Sequence, residues 1–410
     1  MSMLCRLERP ARGVPKHWKK VKLGDLIQSL DAGVSVNAND LPARENQFGI
    51  LKTSCVTTGI FLPNENKQID AHEIISARVN PKKDRVILSR MNTPALVGAS
   101  AYVPEDYKNL FLPDRLWQLE PFENCVCMRW LAYVLASKDH RRSLADVATG
   151  TSNSMKNISK SAVLGLGILI PPLLEQQRIA KLFSIWDVAI EKTEQLIAAK
   201  SQRLSFLREH HLTMSKKSSR VKLKAATHES TARNGKRLGR NAIMAVTKQI
   251  GMRPMREETI AAAIERYKVV RPKAFAYNPM RLNIGSIAMS SFDNDVLVSP
   301  DYVVFECDEA KLLPGYLNHL RRTQLWASHF EAAGSGGVRI RIYYDDLGAF
   351  AFPLPPVIEQ ARVLTVLDAG VTEIETLERY LAALKKQKRG LMQKLLTGQW
   401  RMKLPSYEET

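Results

Sequence analysis

The sequence predicts a mixed α/β chain: two globular domains of strands and short helices, each followed by a long helix. The two long helices are expected to pair as an antiparallel coiled coil with pseudo-two-fold symmetry. Three observations predict this. First, "IPPLLEQQRIAKLF" at residues 170–183 returns as "LPPVIEQARVLTVL" at residues 354–367, 184 positions later, and a repeat of that length is a repeated structural unit. Second, each proline pair opens about 40 residues without proline that are rich in Glu, Gln, Lys, Arg, Ala and Leu, a composition that favours helix. Third, the apolar positions of the second copy advance by alternating steps of four and three, the signature of a coiled-coil seam.

In chain order, the first domain is expected over residues 1–170. "HWKKVKLGDLI" reads as a strand and turn, and "RVILSRMNTPALVGASAYV" as two apolar strands around a polar loop. "LFLPDRLWQLEP" is a further strand, "MRWLAYVLASKDHRRSLADVATG" is helical, and "GTSNSMKNISKSAVLGLGILIPP" carries a Gly-Ser-Asn loop into a last strand. The first long helix follows over residues 171–216. Its proline pair fits the first turn, where a missing N–H costs nothing. A second domain over residues 217–354 repeats the order with different words, from "SRVKLKAA" through "FAYNPMRLNIGSIAM" and "VLVSPDYVVFEC" to "VRIRIYYDDLGAFAFPLPP". Residues 355–410 hold the second long helix and a tail.

The alignment at offset 184 runs without a gap from Gly150 against Gly334 to Thr213 against Thr397. Pro171, Pro172, Glu175, Gln176 and Arg178 match Pro355, Pro356, Glu359, Gln360 and Arg362. The seam in the second copy is Val363, Leu367, Gly370, Ile374, Leu377, Leu381, Leu384, Lys388, Leu391 and Leu395. In the first it is Ile179, Phe183, Trp186, Ile190, Thr193, Ile197, Lys200, Leu204, Leu207 and His211. At 1.5 Å per residue each helix is on the order of 60 Å long.

Charge narrows the partner. The formal net charge is +19, a field that attracts nucleic acid or an acidic membrane surface. Between Lys200 and Arg256 fifteen Lys and Arg face only Glu209 and Glu229. No apolar run approaches the roughly 20 residues of a membrane span, and the opening residues lack the apolar centre of a secretion signal, so a cytoplasmic protein is expected. The five cysteines are scattered singly, apart from Cys125 and Cys127, and have neither disulfide nor zinc spacing.

The order of two divergent domains and two P-P-x-x-E-Q helices resembles the specificity subunit of type I restriction-modification systems over nearly the whole chain. "IPPLLEQQRI", "LPPVIEQARV", "HWKKVKLGDL" and "FAYNPMRLNIGSIA" followed by "VSPDYVVFE" carry the resemblance. It implies that each divergent domain binds one half of a split double-stranded DNA sequence. The helices, opened by the matched Pro, Glu, Gln and Arg residues, would hold the domains apart and dock methyltransferase subunits and, through them, restriction subunits. It further implies a chain without catalytic or metal-binding residues or a cofactor of its own, S-adenosylmethionine and ATP with Mg²⁺ belonging to partner subunits. One departure is that "SRVKLKAA" keeps Val-Lys-Leu but lacks the tryptophan and the Gly-Asp of "HWKKVKLGDL".

Base edges are read by Arg, Lys, Asn and Gln, while other cationic and hydroxyl groups set register on phosphate. The loops offering these types nominate Arg90, Asn92 and Thr93 with Lys156 and Asn157 in the first domain. In the second they nominate Arg233, Asn234, Lys236 and Arg237, then Asn278, Arg281 and Asn283, and Arg339. Catalytic signals are weak. "YNPMR" lacks the second proline and the aromatic of an amino-methyltransferase loop, and no phosphate-binding G-x-x-x-x-G-K-[ST] exists. Asp301 and Glu309, eight residues apart across a strand, would lie more than about 20 Å apart, too far to share a metal ion. A self-sufficient DNA methyltransferase or nuclease, and a noncatalytic coiled-coil adaptor for proteins, remain the alternatives on sequence.

Overall fold

A computed structural model describes residues 7–8, 15, 17–150, 154–214, 219–248, 250–331 and 341–402. The chain divides into two compact units, Met1–Lys192 with Ala382–Thr410 and Thr193–Leu381. Eight helices lie among the described residues: α1 (Met128–Ala136), α2 (Lys138–Asp146), α3 (Lys160–Leu164), α4 (Leu173–Thr213), α5 (Pro314–Leu320), α6 (Gln324–Glu331), α7 (Tyr344–Gly348) and α8 (Val357–Leu396). Each unit therefore holds one part of both long helices, α4 and α8.

The first unit is built on a four-stranded antiparallel sheet in the order Ile27–Ala32, Leu116–Pro121, Arg85–Ser89, Ser100–Val103. A second sheet joins Leu110–Phe111, Gly49–Leu51, Asn66–Ile69 and Ala38–Asn39, with its first pair parallel. Apolar residues alternate onto the core face of the first sheet and meet α1, whose Trp130, Leu131 and Leu135 are buried with Trp18, Leu88, Trp117, Phe183 and Leu395. The second unit is centred on an antiparallel sheet in the order Thr227–Glu229, Val303–Cys307, Phe275–Tyr277, Ile287–Met289. Its core stacks Phe275, Tyr277 and Phe305 of that sheet with Tyr316 of α5, Trp326 of α6, Phe350 and Phe352.

Each unit opens alike. The strand Lys19–Lys22 pairs antiparallel with Gly167–Ile170, and Arg220–Lys222 with Ala351–Pro353. A single turn of 3-10 helix follows in each, and its first residue, Leu23 or Leu223, is fully buried. The Leu23 N–H donates to Leu166 O and the Leu223 N–H to Phe350 O, both at 2.8 Å. The shared Val-Lys-Leu thus fixes the same local structure twice: valine in the ribbon, leucine under it. The Gly-Asp found only in the first copy adds a cap, because Asp25 Oδ2 accepts from Lys22 N at 2.8 Å.

Every residue of both expected seams is buried or half-buried on α4 and α8, with most of their neighbours exposed. In the second unit Lys200 pairs with Glu373 at 2.7 Å, and a Cβ on Gly370 would sit 3.1 Å from Leu204 Cδ1. The number falls on α8 as it rises on α4, so the helices run antiparallel. Glycine at 370 lets the leucine seat against the backbone of the partner helix. In the first unit Asp187 of α4 pairs with Lys388 of α8.

Candidate nucleic-acid interface

The matched E-Q dipeptide explains how each strand-rich domain is held to its helix. Gln176 is almost wholly buried; its Oε1 accepts from Cys127 N at 2.9 Å and its Nε2 donates to Pro171 O at 2.9 Å. Gln360 is fully buried; its Oε1 accepts from Leu313 N at 2.9 Å, and its Nε2 donates to Pro355 O at 2.8 Å and Lys311 O at 2.7 Å. Cys127 and Leu313 are the N-cap residues of α1 and α5. Neither uses its own side chain as a cap, so in each unit the long helix lends a glutamine to satisfy a backbone donor that the short helix leaves open. Expected as part of a partner-docking scaffold, Gln176 and Gln360 are turned inward onto their own domains; a buried amide spent on backbone groups has no surface to offer another chain.

The neighbouring glutamates differ. Glu175 is buried, with its Oε2 accepting from Trp18 Nε1 at 3.2 Å and lying 3.3 Å from His17 Nε2. Glu359 is exposed and pairs with Arg362 at 2.7 Å. The second copy has no tryptophan before its Val-Lys-Leu, so its glutamate has nothing to grip. Pro171 is buried and Pro355 half-buried, while Pro172 and Pro356 are exposed; Arg178 is half-buried.

A second tie lies six residues into each short helix from its N-cap. Tyr133 of α1 donates its hydroxyl to Asp187 of α4, which also takes Lys388 of α8; the Lys388 ammonium sits 5.3 Å from the Tyr133 ring centre. His319 of α5 lies between Asp368 of α8, with Nε2 to Oδ1 at 2.9 Å, and Arg208 of α4, whose Nε donates to Nδ1 at 3.1 Å. Arginine can only donate. Nδ1 is therefore the acceptor and the neutral imidazole carries its proton on Nε2. Burial lowers the His319 pKa further than the Asp368 hydrogen bond raises it, and Arg208 and Arg322 add to the lowering. Burial and the nearby Arg322 bring Arg208 down to about 10.

The polar loops stand on these frames. In the first domain Met91–Asn92 pairs antiparallel with Lys156–Asn157, with Asn92 opposite Lys156. The ribbon brings together nominated residues from two loops 64 positions apart. Thr93 is exposed, whereas the Arg90 guanidinium lies 5.5 Å from the Trp117 ring centre and 3.7 Å from Asp114. Asn92 accepts from Thr93 N, and Lys156 donates to Gly150 O at 3.1 Å.

In the second domain, Asn234 is a correction. It is fully buried, accepting from Leu238 N and donating to Leu238 O and Ile264 O, so it shapes its loop and cannot meet a ligand. Arg233 is exposed but donates to Arg266 O at 2.7 Å, and exposed Arg237 meets Asp295 at 3.4 Å. Lys236 is exposed, in a turn where Gly235 has φ +56. Asn278 accepts from Met280 N at 2.9 Å and so holds the start of its loop. Arg281 is exposed and Asn283 half-exposed in that loop. Arg339 lies outside the described residues. Among the described residues no three His, Cys, Asp or Glu are grouped to hold a metal ion, and no helix is long and apolar enough to cross a membrane.

Residues 15–199 match the family model of the type I restriction modification DNA specificity domain. That match covers the first strand-rich domain and the first part of α4, so this part of the chain carries a type I specificity domain. The chain has the fold of known specificity subunits. It is similar to the type I restriction-modification system S subunit from M. genitalium at 12% identity, covering 94% of this chain and 97% of that one, with a TM-score of 0.59. A chain solved in work on assembly and conformational transition of the type I system is similar at 17% identity, covering 95% and 100%, with a TM-score of 0.55. No curated protein matches.

Proposed function

We propose that this chain is the specificity subunit of a type I restriction-modification complex, that it reads a bipartite double-stranded DNA target, one half with each strand-rich domain, and that it performs no catalysis itself. The match of residues 15–199 to the specificity domain carries the reading. The glutamine clasp that recurs at Gln176 and Gln360 supports the extension to the second domain, since it seats both domains on their helices in one way. The α4–α8 pair sets the distance between half-sites, and its outer faces dock methyltransferase subunits, through which restriction subunits join. Methyl donor and ATP with Mg²⁺ belong to those partners.

The test compares base methylation across the source genome with and without this gene. Loss of one split motif is the expected result, and it delivers both half-sites. With the modification partner expressed, an unchanged methylation map overturns the reading. Lengthening α4 and α8 together should change the gap and neither half-site; a constant gap removes the ruler from the proposal.

A further inference from the structure

Three segments far apart in sequence meet in the second domain. The loop of residues 278–286 closes on itself, with Arg281 N donating to Asn278 O at 2.9 Å and Ser286 N to Arg281 O at 3.0 Å. Its second leg is tied to the strand Met244–Thr247 through Ser286 Oγ, which donates to Val246 O at 2.9 Å. Next on that leg, Gly285 has φ +89, and a Cβ there would meet the Lys248 chain at 3.3–3.6 Å. The aliphatic stem of Lys248 thus lies over the glycine while the residue remains exposed. The first leg is tied to residues 341–343, since Ile342 N donates to Pro279 O at 3.1 Å. Arg341 and Tyr343 flank that buried isoleucine, both exposed, with Arg341 Nη1 3.4 Å from the Tyr343 hydroxyl.

The electrostatics of this cluster separate it from the more conspicuous basic loop. In residues 231–240, Arg233 is spent on a carbonyl, Arg237 faces Asp295, and Arg240 faces Glu257 at 2.6 Å, which leaves exposed Lys236 as the one cation of that loop without such a partner among the described residues. The three joined segments carry Lys248, Arg281 and Arg341 and no carboxylate of their own. Neither Lys248 nor Arg281 forms an ion pair among the described residues. At the third segment Asp301 acts on Arg341 through space, and Asp346 accepts from Tyr343 N. Unneutralised cations beside an exposed tyrosine and an asparagine make the composition that binds a nucleic-acid backbone and reads base edges.

We propose that Lys248, Arg341 and Tyr343 form, with the 278–286 loop, the surface by which the second domain contacts its DNA half-site. Lys248 and Arg341 hold phosphate at the two legs of the loop, and Arg281 and Asn283 are presented to base edges between them. The more basic 231–240 loop is peripheral. This rests on the DNA-reading role proposed above.

The test selects preferred duplexes with the full-length wild-type chain from a library carrying two randomised blocks, then measures variants on the selected duplex at several salt concentrations. Lys248→Ala and Arg341→Ala should each lose affinity by roughly tenfold, with a salt dependence shallower by about one counterion. Arg281→Ala should relax preference within one block only. Arg237→Ala should change affinity by less than about twofold. Equal thermal stability of the variants keeps the comparison interpretable, and all four side chains are exposed. If the wild type selects a motif but Lys248→Ala and Arg341→Ala keep its affinity and salt slope, or Arg237→Ala alone loses both, the proposed surface is wrong and the DNA-reading role stands. If the wild type selects nothing, that role fails and the surface with it.

Discussion

The two copies of the proline-led helix start keep the glutamine in the same job and let the glutamate drift. Gln176 and Gln360 both accept from the N-cap N–H of a short domain helix and both donate back to the carbonyl of the first proline. Glu175 is buried against Trp18, while Glu359 faces solvent. A group that bonds backbone is independent of which side chains the domain carries, so it survives divergence of the domain; a group that bonds a side chain is tied to that side chain. The tryptophan absent from "SRVKLKAA" and the released Glu359 are one change seen from two ends.

Removing the glutamines should have the largest effect. Gln360→Ala takes away three hydrogen bonds and leaves Leu313 N–H without its acceptor, a loss of about 2–4 kcal/mol, with Gln176→Ala slightly less. Because the chain has two units, amide hydrogen exchange resolved along the chain is the measure, and protection should fall first around the affected clasp. Equal loss in both units from either substitution breaks the comparison. Next, Glu175→Gln should cost about 1–2 kcal/mol, since a charged acceptor is withdrawn from buried Trp18, whereas Glu359→Gln should stay within about 0.5 kcal/mol. Equal costs in chemical denaturation would mean that the tryptophan is not what holds the glutamate.

The polar ties at Tyr133 and His319 sharpen the contrast, because only the second unit uses a group that titrates near neutrality. Held neutral in the fold by burial and by Arg208, His319 resists a proton that the unfolded chain accepts below about pH 6.5. Stability of the second unit should therefore fall as pH drops through that value, down to the lower folded pKa of His319. His319→Gln should flatten the dependence there, and the first unit should show none from Tyr133. Hydrogen exchange at pH 7.5 and 5.5 gives the answer, and an identical pH response in wild type and variant would remove His319 as the cause.

The seam is legible in the sequence because its signal is periodic and redundant: ten positions in each helix constrain one another, and even Lys388 and Thr193 take their places without their partners being known. The 3-10 turn under Val-Lys-Leu follows from the same local logic. The loops offer no such redundancy. Asn234 and Asn283 are alike as letters, yet one is fully buried on its own loop and the other half-exposed, because Gly235 bends the chain so that Leu238 N–H and C=O both reach the Asn234 amide. Lys248 escapes a sequence reading for the complementary reason. Its importance comes from Gly285, 37 residues on, and nothing in either local sequence joins them. Likewise the pairing of Asn92 with Lys156 is a long-range register that residue type cannot announce.

The smallest expected effect concerns the helix pair itself and compares its two cross-helix ion pairs. Lys388–Asp187 is the more enclosed and belongs to a network with Tyr133, with side-chain exposures of 18% and 32%. Lys200–Glu373 stands more open, at 30% and 49%. Water and salt screen the open pair, and ordering two long side chains offsets most of what attraction remains. Lys200→Ala should therefore cost no more than about 0.5 kcal/mol, a cost that disappears in 1 M salt. Lys388→Ala should cost more and keep most of its cost in salt, since it leaves Asp187 half-enclosed with only a hydroxyl for company. Denaturation of both variants at low and high salt makes the comparison. Were the two lysines to behave alike, the antiparallel pair would be held by its apolar seam alone, and the charges along it would serve the choice of partner helix rather than its strength.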